Sequence, residues 1–252
     1  VLSNSKIKKY LKIKSIKMNF YSFIPDRFLN YGRHFIFDDD KTSVLNALNS
    51  GQLTQGNLIS KFESSICKYT GAKYAVAVSS CTAGLHLSCT ALGINKNDNV
   101  IVPAITFVST ANAVVYNSAN VILSDIDSDT LNISQMNIEK ISKTKKIKAI
   151  MPVHFAGYPC DMKKIKSKNK NQIIIEDAAH ALGARYNDGS KVGSCKYSDA
   201  TVFSFHPVKP ITAGEGGVVT TNSFTLYKKL LRLRSHGINK LDDTFENKKY
   251  AY

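Results

Sequence analysis

From Phe35 onward the sequence alternates short β-branched runs with longer segments of helical periodicity, and this alternation limits the fold more than any other feature. It is typical of an α/β domain with a mostly parallel sheet, because parallel strands need a long crossover, usually a helix. We therefore predict a mostly parallel seven-stranded sheet flanked by helices. The strands are expected near residues 74–79, 98–103, 120–125, 147–153, 172–176, 200–205 and 216–221, and the helices near 40–50, 58–69, 82–93, 108–117, 134–142, 161–168 and 224–235.

Composition excludes several classes of protein. The 252 residues are 43% hydrophobic and 21% charged, as in an ordinary globular chain with a large core. No stretch approaches the roughly 18 apolar residues that a membrane-spanning helix needs, so no membrane partner is expected. The five cysteines are odd in number and form no CxxC pair, which indicates neither a disulfide framework nor a zinc site. A reducing cytoplasm fits this pattern, and we predict no metal site.

The net charge of +15 raises the question of nucleic-acid binding. Lysine accounts for most of the positive charge and is scattered through surface-like segments, whereas arginine is the usual reader of guanine edges and phosphate forks. We therefore predict no nucleic-acid partner. The arginines are Arg27, Arg33, Arg185, Arg232 and Arg234.

Two predicted strand ends carry features suited to a planar, phosphorylated ligand. The small residues of 79–84 leave one strand and open a helix, so a phosphate could bind to exposed backbone N–H groups with help from the Thr82 hydroxyl. Phe107 follows the strand near 98–103, where its ring could stack on a planar cofactor. Taken singly, the first feature is more typical of an ordinary helix cap and the second of a core residue.

A third strand ends in Glu176-Asp-Ala-Ala-His180, directly after a run of three isoleucines. An acid at the end of a buried strand needs a cationic partner. A protonated pyridine nitrogen, a lysine or a metal ion would each serve.

The fourth such strand end belongs to the strand predicted near 200–205. Lys209 follows it, in a loop with two prolines and just before the glycine-rich segment 214–217. A lysine amine withdrawn from water can act as a nucleophile, although a single lysine is more typical of a solvated surface. The four features occur in order at the ends of different strands of one sheet. Together they match the needs of pyridoxal phosphate: a phosphate anchor, a stacking face, an acid on the pyridinium nitrogen and a Schiff-base lysine.

The sequence resembles the fold-type-I sugar aminotransferases of the DegT/DnrJ/EryC1/StrS family. The resemblance extends from about residue 30 to residue 240 and rests on eight strings in order: Tyr31-Gly-Arg-His, Ser50-Gly-Gln-Leu-Thr-Gln-Gly, Ser79-Ser-Cys-Thr-Ala-Gly-Leu-His, Thr106-Phe-Val-Ser-Thr-Ala-Asn, Pro152-Val-His-Phe-Ala-Gly, Glu176-Asp-Ala-Ala-His-Ala-Leu-Gly, Phe203-Ser-Phe-His-Pro-Val-Lys and Arg234-Ser-His-Gly. Within the family, the strings are most similar to those of the transaminases of pseudaminic acid biosynthesis.

The resemblance implies pyridoxal 5'-phosphate as the cofactor and assigns roles to the matched positions. Lys209 would carry the cofactor as a Schiff base and move protons, and Asp177 would keep the pyridine nitrogen protonated. Phe107 would stack on the ring and His180 would lie near its edge. The phosphate contacts would come from Cys81, Thr82 and Ser204.

The resemblance also implies the substrates and the assembly. The amino group would pass from L-glutamate to C4 of a UDP-linked 4-keto-6-deoxy-N-acetylhexosamine, with Tyr31 and the stretch Gln52, Leu53 and Thr54 contacting the nucleotide sugar. A homodimer with shared active sites is expected. Family members continue into a smaller C-terminal domain, so residues 18–252 are predicted to be a cofactor-binding large domain that lacks it. Residues 1–17, basic and followed by Met18, are predicted to be a disordered or non-native extension.

Several alternatives remain open at this point. Amination of another nucleotide-linked keto sugar, at C3 or C4, would use the same residues. A subgroup of the family carries histidine at the lysine position and dehydrates sugars, so Lys209 favours transamination. A non-catalytic sensor or binding protein on this fold would be expected to have lost Lys209 or Asp177. A dinucleotide-binding dehydrogenase would show GxGxxG after the first strand, and this chain does not.

Overall fold

The structure, a computed structural model, describes residues 34–54 and 56–237. The predicted extension at 1–17 and Tyr31 lie outside these ranges. The helices are α1 (Asp38–Asn49), α2 (Asn57–Thr70), α3 (Cys81–Ala91), α4 (Val108–Tyr116), α5 (Gln135–Ser142), α6 (Met162–Lys168) and α7 (Phe224–Arg234). The strands are β1 (Tyr74–Val78), β2 (Asn99–Pro103), β3 (Asn120–Ser124), β4 (Ala149–Ile150), β5 (Ile173–Asp177), β6 (Ala200–Ser204) and β7 (Gly217–Thr221).

The seven strands form one sheet in the order β1-β7-β6-β5-β4-β2-β3. Strands β2 to β6 pair in parallel, and β7 is antiparallel to both of its neighbours, β1 and β6. The predicted mostly parallel seven-stranded sheet is therefore confirmed. Because β1 and β6 run in the same direction, the carboxyl ends of β1, β2, β4, β5 and β6 meet at one edge, and the amino end of β7 lies there too.

One strand is shorter than predicted. The pattern predicted strand structure at 147–153, whereas β4 covers only Ala149–Ile150. Pro152 has no N–H to donate to a neighbouring strand, so regular pairing stops before it. The chain continues beside β5 through single contacts: Pro152 accepts the Asp177 N–H at 2.9 Å, and Val153 forms an isolated bridge with Asp177.

The sheet is covered on both faces, which is the arrangement that parallel strands require. Two apolar clusters lie against it, one including residues of α3, α4 and α7 and the other residues of α2, α5 and α6. Every residue of β6 and β7 is buried. No helix in the described part of the chain is long and apolar enough to cross a membrane.

Gly217, at the amino end of β7, lets the sheet approach the start of α3 closely. A Cβ atom built on Gly217 would lie 2.6 Å from the Ser80 carbonyl carbon and 2.7 Å from the Cys81 nitrogen. Real Cβ atoms do not come this close to backbone, so a larger residue here would push β7 and α3 apart. The adjacent Gly216 has no such restriction, because its nearest neighbour would be the Phe205 Cβ at 3.5 Å.

We therefore expect Gly217→Ala to lower the free energy of unfolding by about 1–3 kcal/mol, the usual cost of overpacking a close contact. Gly216→Ala is the matched control and should change stability by much less. Denaturant-induced unfolding of the two variants beside the wild type measures the difference. Equal stability of the two variants would contradict the close approach.

Candidate functional site

The carboxyl edge of the sheet brings together most of the predicted cofactor residues. Asp177 ends β5, Ser204 ends β6, and Cys81 begins α3. Lys209 and His180 lie on the loops that follow β6 and β5, and the Lys209 Nζ atom is 2.5 Å from the His180 Nε2 atom. Asp177 and His180 belong to the same short segment at the end of β5, so the acid, the histidine and the lysine share one edge of the sheet.

Asp177 is a buried carboxylate, with only 3% of the residue exposed. Its Oδ2 atom accepts a hydrogen bond from the Thr110 hydroxyl at 2.7 Å, and its Oδ1 atom accepts the Ala179 N–H at 3.1 Å. Among residues 34–54 and 56–237, no lysine, arginine or histidine nitrogen forms an ion pair with it. A buried anion without a cation is costly, so the site suits a ligand that carries a positive charge to this carboxylate.

Lys209 is half-buried and contacts the His180 ring. Burial of the ring, together with the positive charge of Lys209, lowers the pKa of His180 below its ordinary value. A neutral His180 with its proton on Nδ1 can accept a hydrogen bond through Nε2 from the Lys209 amine, because in that tautomer Nε2 has a free lone pair. The pair therefore holds the lysine amine near the end of β5 and gives its proton a defined acceptor.

The amino end of α3 offers backbone donors to an anion. Ser80 caps the helix, where its hydroxyl accepts the Ala83 N–H at 3.1 Å and its carbonyl accepts the Gly84 N–H at 3.0 Å. Thr82, expected near the helix start, is the second residue of the helix. The N–H groups of Cys81 and Thr82 have no partner within the described residues, and they lie at the positive end of the helix dipole.

The side chain of Cys81 is not itself a candidate anion ligand. Burial and the nearby Asp177 raise the pKa of its thiol well above the ordinary value, against a smaller opposing effect of Lys209. The thiol also packs into the apolar cluster beneath α3. Cys81 can therefore contribute its backbone N–H to a phosphate, while its uncharged side chain fills space.

Ser204 lies beside this helix terminus. It pairs in register with Gly217, whose α-carbon packs against the Ser80–Cys81 peptide. Ser204 is 7% exposed, and its hydroxyl oxygen accepts the His206 N–H at 3.3 Å, which leaves the hydroxyl proton free to bond to an anion. The hydroxyls of Ser204 and Thr82 and the two free N–H groups form a donor set that fits a phosphate.

Phe107 is the N-cap residue of α4, just past the end of β2, and 72% of it is exposed. The alternative interpretation of Phe107 as a core residue is therefore wrong. An uncovered ring at the carboxyl edge leaves a flat apolar face available for stacking.

Three of the four predicted nucleotide-sugar residues lie in the described part of the chain. Gln52, Leu53 and Thr54 are exposed in the segment between α1 and α2 and make no described contact with Lys209 or Asp177. Gln52 lines a shallow depression together with Ser43, Asn46, Asn57 and Lys61. Tyr31 lies outside the described residues. These four assignments stay predictions.

The structure adds a buried polar cluster around Glu176, which the sequence showed only as an acid at a strand end. The Glu176 carboxylate accepts hydrogen bonds from four side chains: His154 Nε2 at 2.9 Å, Tyr186 at 2.5 Å, Thr201 at 2.8 Å and Ser198. Although burial favours the neutral acid, these donors hold the pKa of Glu176 below its ordinary value. The sequence could have predicted a second polar cluster, because consecutive residues of a strand face opposite sides of the sheet and Glu176 therefore needs partners on the side away from Asp177.

Thr110 is the second contact that sequence reasoning missed. It is fully buried in the first turn of α4 and bonds to Asp177, which is 67 residues away along the chain. The only sequence signal was its position four residues after Thr106, which places the two hydroxyls on one side of the chain as the helix begins.

Comparisons with known proteins agree with this geometry. The chain is 43% identical over 221 residues to the uncharacterized protein MJ1066 of Methanocaldococcus jannaschii, a match that covers 86% of this chain and 56% of the relative. Among solved structures, it is similar to Helicobacter pylori PseC, an aminotransferase involved in the biosynthesis of pseudoaminic acid (34% identity, TM-score 0.78, covering 86% of this chain and 58% of PseC).

A second solved relative is Spr1654 of Streptococcus pneumoniae in its PLP-form, with 30% identity and a TM-score of 0.77 over 84% of this chain and 59% of that chain. The chain thus spans less than two thirds of the length of these relatives. The family described as DegT/DnrJ/EryC1/StrS aminotransferases matches residues 36–252, which is most of the sequence. The chain therefore belongs to the DegT/DnrJ/EryC1/StrS aminotransferase family.

Proposed function

We propose that the chain is the cofactor-binding part of a pyridoxal-phosphate aminotransferase that acts on a nucleotide-linked keto sugar. The observation that carries the proposal is the buried Asp177 carboxylate, which has no ion pair within the described residues and lies at the same edge of the sheet as the Lys209–His180 pair. A pyridinium nitrogen supplies the missing positive charge. The donor set at the start of α3 then receives the phosphate of the same ligand. PLP-form and PMP-form structures of Spr1654 support this choice of cofactor.

Bound pyridoxal phosphate supplies an electrophilic aldehyde and a ring that accepts electrons from the carbon next to the reacting nitrogen. Lys209 would hold the group through its amine and, when that amine is free, would carry a proton to and from the substrate's amino carbon. Asp177 holds the proton on the ring nitrogen. His180 would accept the hydrogen bond from the lysine amine when that amine is protonated, and Phe107 would offer its ring for stacking on the cofactor.

For the substrates, we propose L-glutamate as donor and C4 of a UDP-linked 4-keto-6-deoxy-N-acetylhexosamine as acceptor. The likeness to PseC, which is named for a role in pseudoaminic acid biosynthesis, supports this sugar class. In this proposal Tyr31, Gln52, Leu53 and Thr54 contact the nucleotide sugar, and the active enzyme is a homodimer with shared sites. Five free cysteines accord with a reducing, cytoplasmic setting.

The attachment of the cofactor to Lys209 can be tested by chemical trapping. Borohydride reduction of the purified protein incubated with pyridoxal phosphate should fix the cofactor on the peptide that contains Lys209, as read by mass spectrometry. Lys209→Ala should abolish this labelling and the visible absorbance. Lys191→Ala is the control, because Lys191 is also partly buried but bonds to the Tyr69 carbonyl instead. Equal labelling of both variants would show that another lysine carries the cofactor.

The reaction can be tested with a UDP-linked 4-keto-6-deoxy-N-acetylhexosamine, L-glutamate and pyridoxal phosphate. We expect a 4-amino sugar nucleotide and an equal amount of 2-oxoglutarate, both measured by mass spectrometry. Asp177→Asn should lower the rate by at least about 100-fold, the scale of losing one electrostatic contact that stabilises charge developed in the transition state. An amine formed only from a different nucleotide-linked keto sugar would contradict the proposed substrate.

A further inference from the structure

Thr110 stands out among the buried polar side chains because it bonds directly to the proposed ring-nitrogen acid. It is 0% exposed, and its hydroxyl lies 2.7 Å from the Asp177 Oδ2 atom. The hydroxyl comes from α4, whereas Asp177 ends β5, so the contact joins two different elements.

The direction of this hydrogen bond follows from the chemistry of the groups. An ionised carboxylate only accepts, so the Thr110 hydroxyl must donate its proton to Asp177. The Thr110 oxygen can then accept from the Thr106 hydroxyl, which lies 2.8 Å away. The result is a chain of donors from Thr106 through Thr110 to Asp177, in which each bond strengthens the next.

Both oxygens of Asp177 are held from different sides. Thr110 bonds to Oδ2, and the Ala179 N–H bonds to Oδ1 at 3.1 Å. Two donors on two oxygens fix the plane of a carboxylate, whereas one donor leaves it free to turn about its last torsion. Thr106 directly precedes Phe107, so the same donor chain connects the acid to the segment that carries the exposed ring.

We propose that Thr110 is a positioning residue that sets the plane of the Asp177 carboxylate toward the cofactor's ring nitrogen. With Thr106, it also ties the acid to the segment that carries Phe107. This inference rests on the proposed function, since it assigns Thr110 to the same site. It acts through Asp177 and does not itself reach the reacting atoms.

The test compares Thr110→Val with Thr221→Val. Valine has nearly the shape of threonine but no hydroxyl. Thr221 is also fully buried and also donates one hydroxyl bond, to the Asp199 carbonyl at 2.7 Å, but at the opposite edge of the sheet. Thr110→Val should weaken pyridoxal phosphate binding and slow the half-reaction with glutamate by about 10- to 100-fold, the scale of one hydrogen bond to a charged group, with the KM for the sugar unchanged. Thr221→Val should leave both values at wild type, and Thr110→Ser should restore them.

A second measurement does not depend on the cofactor. Crystal structures of the cofactor-free variants should show the Asp177 carboxylate turned in Thr110→Val and unchanged in Thr221→Val. Identical carboxylates and identical cofactor binding in the two variants would overturn the role of Thr110 while leaving the function in place. Failure of the wild type to label at Lys209 would instead overturn the proposed function, and this inference with it.

Discussion

The structure depends most on two consecutive buried carboxylates at the end of β5. Glu176 and Asp177 are 0% and 3% exposed, and the pleat of the strand sends them to opposite faces of the sheet. A buried charge is tolerated only if donors or cations surround it. Glu176 meets this demand with four side-chain donors. Asp177 has two donors and no ion pair within the described residues, and in the proposed function a cationic ligand balances its charge.

The residues around Glu176 also fix the backbone next to the proposed cofactor residues. His154 donates to Glu176 through its side chain, and its backbone N–H donates to the Asp177 carbonyl at 3.1 Å. The turn that follows His154 reaches Gly157, where an added Cβ atom would lie 2.8 Å from the His180 carbonyl oxygen. One buried carboxylate thus fixes the backbone of the acid and limits where the histidine beside Lys209 can move. This accounts for the Pro152-Val-His-Phe-Ala-Gly string, which has no side chain at the proposed cofactor contacts.

Periodicity predicted the fold well because each element is a local pattern. All seven strands and all seven predicted helices occur within a few residues of their expected positions, except that β4 stops early at Pro152. The meeting of Asp177, His180 and Lys209 could also be predicted, since parallel strands end at one edge. The Thr110 contact could not, because a hydrogen bond across 67 residues depends on how α4 sits on the sheet.

The single reversed strand decides where a phosphate can bind. If β7 ran parallel to its neighbours, its carboxyl end would lie at the carboxyl edge of the sheet. Because it runs the other way, its first residue, Gly217, lies there between β1 and β6 and pairs with both Val78 and Ser204. Because Gly217 has no side chain, the start of α3 packs directly against the sheet beside Ser204. The phosphate donors therefore gather on the β1-β7-β6 side, while Asp177 stands on the next strand, β5. In the proposed function, a ligand that joins a phosphate to a cationic ring would lie across β6, where the chain leads directly into the loop of Lys209.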